Sequence, residues 1–187
     1  MKPLLGDIVG SPPAGGPRND LTRLRVRGIL HFSMPNTPVL KNEKLAVYLS
    51  GYTDGEGSFC ISFSPRRKLK AKIEIRPSFS VSQNSNRAEV LELFKQYFGC
   101  GTIRPDRSDK TYKYEIRSLD NLVAKIIPHF KRYPLLSSKQ KDFEIFTKVC
   151  EWMFNKNVEM RKVIDLAYQM NPSGKRKFSK DYLFTLL

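Results

Sequence analysis

Between residues 42 and 155 the apolar positions switch between helical spacing and strict alternation. In "NEKLAVYLSGYTD" (42–54), Leu45, Tyr48, Leu49 and Tyr52 share one sector of a helical wheel, which predicts a helix starting at the capable N-cap Asn42 and running to Asp54. "GSFCISFSP" (57–65) then alternates Phe59, Ile61 and Phe63 with Ser58, Cys60, Ser62 and Ser64. After a turn at 65–68, "KAKIEIRPSFSVSQ" (70–83) sets Ala71, Ile73, Ile75, Pro77, Phe79 and Val81 on one side. Lys70, Lys72, Glu74, Arg76, Ser78, Ser80 and Ser82 take the other. Alternation sustained this long predicts a hairpin with one buried face. Pro77 cannot donate to a ladder, so an edge position or a bulge is expected near it.

"NRAEVLELFKQYFG" predicts a helix with Val90, Leu91, Phe94 and Phe98 inward and Gly99 as C-cap. "GTIRPDRSDKTYKYEIR" predicts a shorter hairpin that turns at 106–110, with Lys113, Glu115 and Arg117 outward. "LDNLVAKIIPHF" predicts a third helix ended by Pro128, and "SKQKDFEIFTKVCEWM" a fourth. "EMRKVIDLAYQM" and "SKDYLFTLL" predict short terminal helices. The order is αββαββα followed by helices, an α+β fold with an antiparallel sheet. Residues 1–41, rich in Pro, Gly and Ser, are expected to form a flexible leader, residues 42–155 the domain and 156–187 a helical extension.

The helix over 42–54 has an unusual second face. Opposite the core stripe lie Val47, Ser50, Gly51 and Asp54, although Gly in a helix interior costs about 1 kcal/mol against Ala. Small residues there either pack under a loop of the same chain or admit the same helix of a second copy. In the second case a two-fold axis brings the helix ends together, with the carboxylates of Asp54 and Glu56 near the centre. Clustered carboxylates stay ionised only beside compensating positive charge, which a divalent cation with a bound phosphate supplies.

The charge balance narrows the partner. Against 33 Lys and Arg stand 18 Asp and Glu, a formal net charge of +15, which favours nucleic acid over a membrane surface. No apolar run approaches the roughly 18 residues of a membrane span, and no signal peptide is evident. Cys60, Cys100 and Cys150 are far apart and no Cys/His cluster exists, so reduced thiols are expected and a zinc site is not.

"LSGYTDGEG" (49–57), on a helix leading into a long hairpin, resembles the LAGLIDADG motif of homing endonucleases, with "DGEGSF" a frequent form of its ending. The resemblance covers residues 42 to about 155; Ser50, Tyr52 and Thr53 depart from the usual Ala, Leu or Phe, and Ile or Val. Only one copy of the motif is present, and single-motif members work as homodimers. The resemblance therefore implies a LAGLIDADG endonuclease-like αββαββα unit with a curved sheet, and an endonuclease that makes a staggered break in double-stranded DNA at a long, near-palindromic site. It further implies Glu56 as metal ligand, with the Gly55 carbonyl beside it, while Asp54 keeps a local structural role. Mg²⁺ is the matching hard cation. Gln83, Arg87 and Lys139 resemble the family's polar residues around the active site.

DNA recognition falls to the polar strand faces, because an antiparallel ribbon fits the major groove. At about 3.3 Å per residue, 70–83 would span roughly 45 Å, more than a helical turn. The candidates are Ser58, Cys60, Ser62 and Ser64; Lys72, Glu74, Arg76, Ser78, Ser80 and Ser82; and Arg104, Lys113, Glu115 and Arg117. Arg76 and Arg117 suit guanine, whereas Lys68, Lys70, Lys110 and Lys141 suit phosphate. Two other readings use the same fold: a splicing maturase that binds intron RNA, and a DNA-binding regulator without the metal site. Intracellular action is expected, in a chloroplast or mitochondrion if the host is eukaryotic, and "LTRLRVRGIL" is a conceivable targeting segment.

Overall fold

Alternating strands and amphipathic helices assemble as one antiparallel sheet backed by helices. The structure, a computed structural model, describes residues 42–187 except 67, 69–71, 107–109 and 173. The expected leader over 1–41 lies outside the described residues, as do Lys70 and Ala71. Helix α1 (Asn42–Glu56) runs directly into β1 (Gly57–Pro65), which pairs with β2 (Ile73–Asn84). A single 3-10 turn (Ser85–Arg87) leads to α2 (Glu89–Phe98), which ends where Gly99 takes a φ of 58° and donates its N–H to the Lys95 carbonyl. Strands β3 (Thr102–Asp106) and β4 (Thr111–Ile116) follow, giving a sheet in the order β1-β2-β4-β3.

Two boundaries differ from the sequence reading. Helix α1 continues two residues past Asp54, so Gly55 and Glu56 belong to its last turn. Strand β2 begins at Ile73, because the hairpin is closed by the Arg66 N–H on the Lys72 carbonyl at 2.6 Å and Lys72 takes a φ of 53°. Lys72 is therefore a turn residue and not part of the strand's outer face. The ladder from Gly57↔Val81 to Pro65↔Ile73 is unbroken, so no bulge accompanies Pro77. Pro77 pairs with Ile61 on β1, and the β4 ladder reaches only to Phe79, which leaves Pro77 at a free edge on its other side.

Beyond β4 the chain forms α3 (Leu119–Asn121), a π turn (Leu122–Ile126) and α4 (Ile127–Arg132). Pro128 does not end this helix as expected. The wide turn, closed by the Ile127 N–H on the Leu122 carbonyl, places Pro128 in the first turn of α4, where a missing N–H is tolerated. Helix α5 (Lys139–Phe154) completes the layer. The core between sheet and helices is aromatic: Phe59 meets Phe79, Phe130, Phe143 and Phe146 at ring-centroid distances of 5.2–5.3 Å, all of them buried.

The terminal helices α6 (Met160–Ala167) and α7 (Lys180–Thr185) cover what the first layer does not reach. Ile164 and Leu183 bury Ile73, and Phe63 and Phe178 pack around them, at the distal end of the long hairpin. The Asn171 side chain also donates to the Phe59 carbonyl at 3.0 Å, which gives the edge strand β1 a partner. No helix among the described residues is long and apolar enough to cross a membrane.

Candidate active site and nucleic-acid interface

Helix C-termini expose carbonyls that favour a cation, and α1 has no basic residue in its own last turn. The cation comes from the first residue of α5. Lys139 Nζ donates to the Thr53 and Gly57 carbonyls at 2.9 and 2.7 Å, with the Gly55 carbonyl at 3.5 Å. Burial lowers the Lys139 pKa, against the opposing pull of Asp54, Glu56 and Asp142. The helix-to-strand passage is tight: a Cβ on Gly57 would lie 2.4 Å from Thr53 Cγ2 and 2.7 Å from the Thr53 carbonyl, so only glycine fits. Lys139, expected among the catalytic groups, thus fixes the main chain on both sides of Glu56.

The two carboxylates of the motif have different surroundings. Asp54 accepts from the Leu136 N–H at 2.9 Å, the Ser137 N–H at 3.0 Å and the Ser137 hydroxyl, pinning the loop before α5. Burial acts to raise its pKa, but these hydrogen bonds and the nearby Lys139 outweigh it and hold the carboxyl below its usual range. Glu56 is exposed and lies within electrostatic reach of Lys139. Among the described residues no three His, Cys, Asp or Glu side chains converge as a metal cluster. The Glu56 carboxylate and the Gly55 carbonyl are hard oxygen donors, the class of group that Mg²⁺ takes.

Strand β2 delivers Gln83 to the same end of the sheet, two residues beyond Val81, the ladder partner of Gly57. The Gln83 amide donates to the Tyr52 hydroxyl, and its carbonyl oxygen accepts from the Asn84 N–H at 2.7 Å. The helical wheel places Tyr52 in the core stripe. It does pack on Phe94, at 6.0 Å between ring centroids, and its hydroxyl also ties α1 to β2. Arg87 is exposed at the end of the 3-10 turn.

The outward face of α1 differs from the expected one at Ser50. This residue is 5% exposed; its hydroxyl donates to the Tyr133 carbonyl at 2.9 Å and lies 3.1 Å from His129 Nε2. Because the hydroxyl hydrogen is already committed, Nε2 must donate to Ser50, and Nδ1 accepts from the Tyr97 hydroxyl at 3.1 Å. Burial lowers the His129 pKa to about 4. Ser50 thus packs within its own chain, and Asp54 is bound to the α5 loop. What remains open is Val47 at 58% exposure, Tyr48 at 46%, and Gly51, around whose Cβ position nothing lies within 4 Å.

On the sheet side not packed by the aromatic core, the predicted residues fall into cross-strand rows. Ser58 pairs with Ser80, Cys60 with Ser78, Ser62 with Arg76, and Ser64 with Glu74. Ser80 also faces Glu115, and Lys113 lies between Ser82 and Arg104. Arg117 is exposed just beyond the end of β4. Lys68, Lys110 and Lys141 are exposed as well. Burial pushes the Cys60 thiol up, and Arg176 opposes it from the C-terminal segment.

The pattern of the LAGLIDADG endonuclease family matches residues 49–150, more than half of the chain. The chain belongs to this family. Homing endonuclease I-ApeII of Aeropyrum pernix is 29% identical over 150 residues, covering 75% of this chain and 88% of that protein. DNA endonuclease I-CreI of Chlamydomonas reinhardtii is 26% identical over 78% of this chain and 90% of its own length. The solved structure of the I-LtrWI LAGLIDADG homing endonuclease bound to target DNA has a TM-score of 0.67 and 32% identity, over 70% of this chain and 46% of that one. The chain spans nearly all of the first two proteins and under half of the third.

Proposed function

We propose that this LAGLIDADG protein is a site-specific, metal-dependent DNA endonuclease that acts as a homodimer and promotes the mobility of an intron. The observation that carries this reading is the isolation of Glu56: its neighbour Asp54 is satisfied inside the chain, while Glu56 ends a helix whose adjoining face is open. A second copy docked on Val47, Tyr48 and Gly51 supplies the second carboxylate. Together with phosphate oxygens it completes a hard-cation site from Glu56 and the Gly55 carbonyl. When bound, Mg²⁺ would activate water and neutralise the scissile phosphate.

The remaining groups position this chemistry. Lys139 holds the carbonyls on either side of Glu56, and Tyr52 holds Gln83 at the same junction. Arg87 gives that end of the sheet an exposed cation for the DNA backbone. The polar sheet face reads the major groove, with Arg76 and Arg117 directed at guanine and the lysines at phosphate. Curated relatives named as intron-encoded endonucleases, from Neurospora crassa and Schizosaccharomyces pombe, support an intron as the host element, and an organelle as the compartment in a eukaryotic host.

Incubation with Mg²⁺ and an intron-free allele of the host gene tests the reading. A unique staggered break that is lost in Glu56→Gln, with DNA binding retained, is the expected result. Tight binding of intron RNA without DNA cleavage would instead establish a maturase and overturn the proposal.

A further inference from the structure

The strands carry a repeat that family membership leaves unexplained. "KIEIR" (72–76) and "KYEIR" (113–117) place a glutamate and an arginine two apart, both on β2 in the first case and on β4 and just past its end in the second. Each glutamate binds that arginine and a second one from outside its own strand. Glu74 Oε2 accepts from Arg76 at 2.8 Å and from Arg66 at 2.9 Å. Glu115 accepts from Arg117 on Oε1 at 3.0 Å and from Arg104 on Oε2 at 3.3 Å. Glu115 lies lower than its partners, its side chain 11% exposed against 46% for Arg104 and 63% for Arg117, whereas Glu74 at 38% is close to Arg76 at 41% and below Arg66 at 54%.

A glutamate on a surface meant for DNA opposes the phosphates, and a chain of net charge +15 has no shortage of cations. Three roles are open to it. Direct reading of a cytosine amino group needs a free carboxylate oxygen; both oxygens of Glu115 are occupied, and Glu74, which takes both arginines on Oε2, is held by two cations on one side. Structural stabilisation is a weak reason, because exposed ion pairs contribute little. The third role is orientation. Arginine has a flexible stem and a planar fork, and a carboxylate that receives two forks limits the rotamers of both before DNA arrives.

We infer that Glu74 and Glu115 are positioning residues for sequence reading, each presenting an arginine pair, Arg66 with Arg76 and Arg104 with Arg117, to the major groove. This rests on the endonuclease reading of the sheet. Glu115 lies beside Ser80, six residues along β2 from Glu74, which is about 20 Å at the strand rise, or about six base-pair steps. The two pairs therefore read separate blocks of each half-site. Glu74 and Glu115 act through their arginines and touch no base. Removing either carboxylate leaves the cations in place but unaligned, so sequence preference falls while non-specific attraction rises.

Selection of bound duplexes from a randomised DNA library, without divalent metal, tests this with the full-length chain and its Glu74→Gln and Glu115→Gln variants. Folding is checked by thermal melting, and the salt dependence of binding is measured on a mixed-sequence duplex. Each variant should lose about tenfold of base preference at one block only, the two blocks lying about six base pairs apart. Each should also bind the mixed duplex several-fold tighter, with a salt slope steeper by about one. Unchanged preferences in folded Glu115→Gln would overturn the inference, as would the loss of a single cytosine position with the rest kept. A wild-type chain that selects no sequence would overturn the endonuclease reading as well.

Discussion

The two sides of α1 carry similar small and polar residues and have opposite fates. Toward the body, Ser50 is bonded to His129 and Tyr133, Thr53 is fully buried, and Asp54 holds the α5 loop. On the other side Val47, Tyr48 and Gly51 remain open, and Glu56 follows them as an exposed carboxylate. On the first side the Ser50 and Asp54 hydrogen bonds are spent on folding the monomer, while the buried Thr53 hydroxyl has no partner among the described residues. On the second side the Tyr48 ring and the Glu56 carboxylate stay exposed, and the proposed second copy, metal ion and DNA would use them. Residue type does not separate the two sides; the positions of distant partners do.

Replacing each carboxylate by its amide sharpens the contrast. Glu56→Gln should lower cleavage by at least about a thousandfold, near 4 kcal/mol of barrier, with no loss of melting temperature. Next in size is a pH effect on the inward side. His129 is neutral in the fold with a pKa of about 4, below its unfolded value of about 6.5. The unfolded chain therefore binds the extra proton first, so stability is complete above about pH 6.5 and falls on acidification, by about 3 kcal/mol once below pH 4. Thermal melts should show this slope between pH 6.5 and 5 in the wild type and its absence in His129→Gln. The smallest effect belongs to Asp54→Asn, about 1–2 kcal/mol of stability through weaker hydrogen bonds to the half-exposed loop. Because the Asp54 pKa is depressed, that stabilisation is present above the unfolded carboxyl value and lost as pH falls below it.

Strand patterning was legible in the sequence because period 2 admits one buried face, and the polar rows of β1, β2 and β4 follow directly from it. The succession of strands and helices was legible from the same patterning, whereas the pairing of β2 with β4, which sets the sheet order, depends on the fold. Ser50 was misplaced because a wheel projection sees only its own helix, and its partner His129 lies 79 residues away. Pro128 reads as a stop in the sequence because the π turn that accommodates it has no compositional marker. Lys139 was singled out through the family resemblance, whereas its contacts with the carbonyls at the end of α1 depend on the fold. The C-terminal helices were seen, and their purpose was not. Phe63 and Ile73 alternate like core residues, and nothing local says that α6 and α7 must cover them.

The central claim is that the open side of α1 belongs to a second copy, and the mass of the chain in solution tests it most directly. Gly51 faces open space in the monomer, so Gly51→Leu introduces no clash within the chain and raises helix propensity by about 1 kcal/mol. Light scattering should give twice the 21.6 kDa chain mass for the wild type and the single-chain mass for Gly51→Leu, which should melt no lower and cleave nothing. A wild-type monomer that cuts both strands, or a Gly51→Leu dimer that still cuts, would contradict the account.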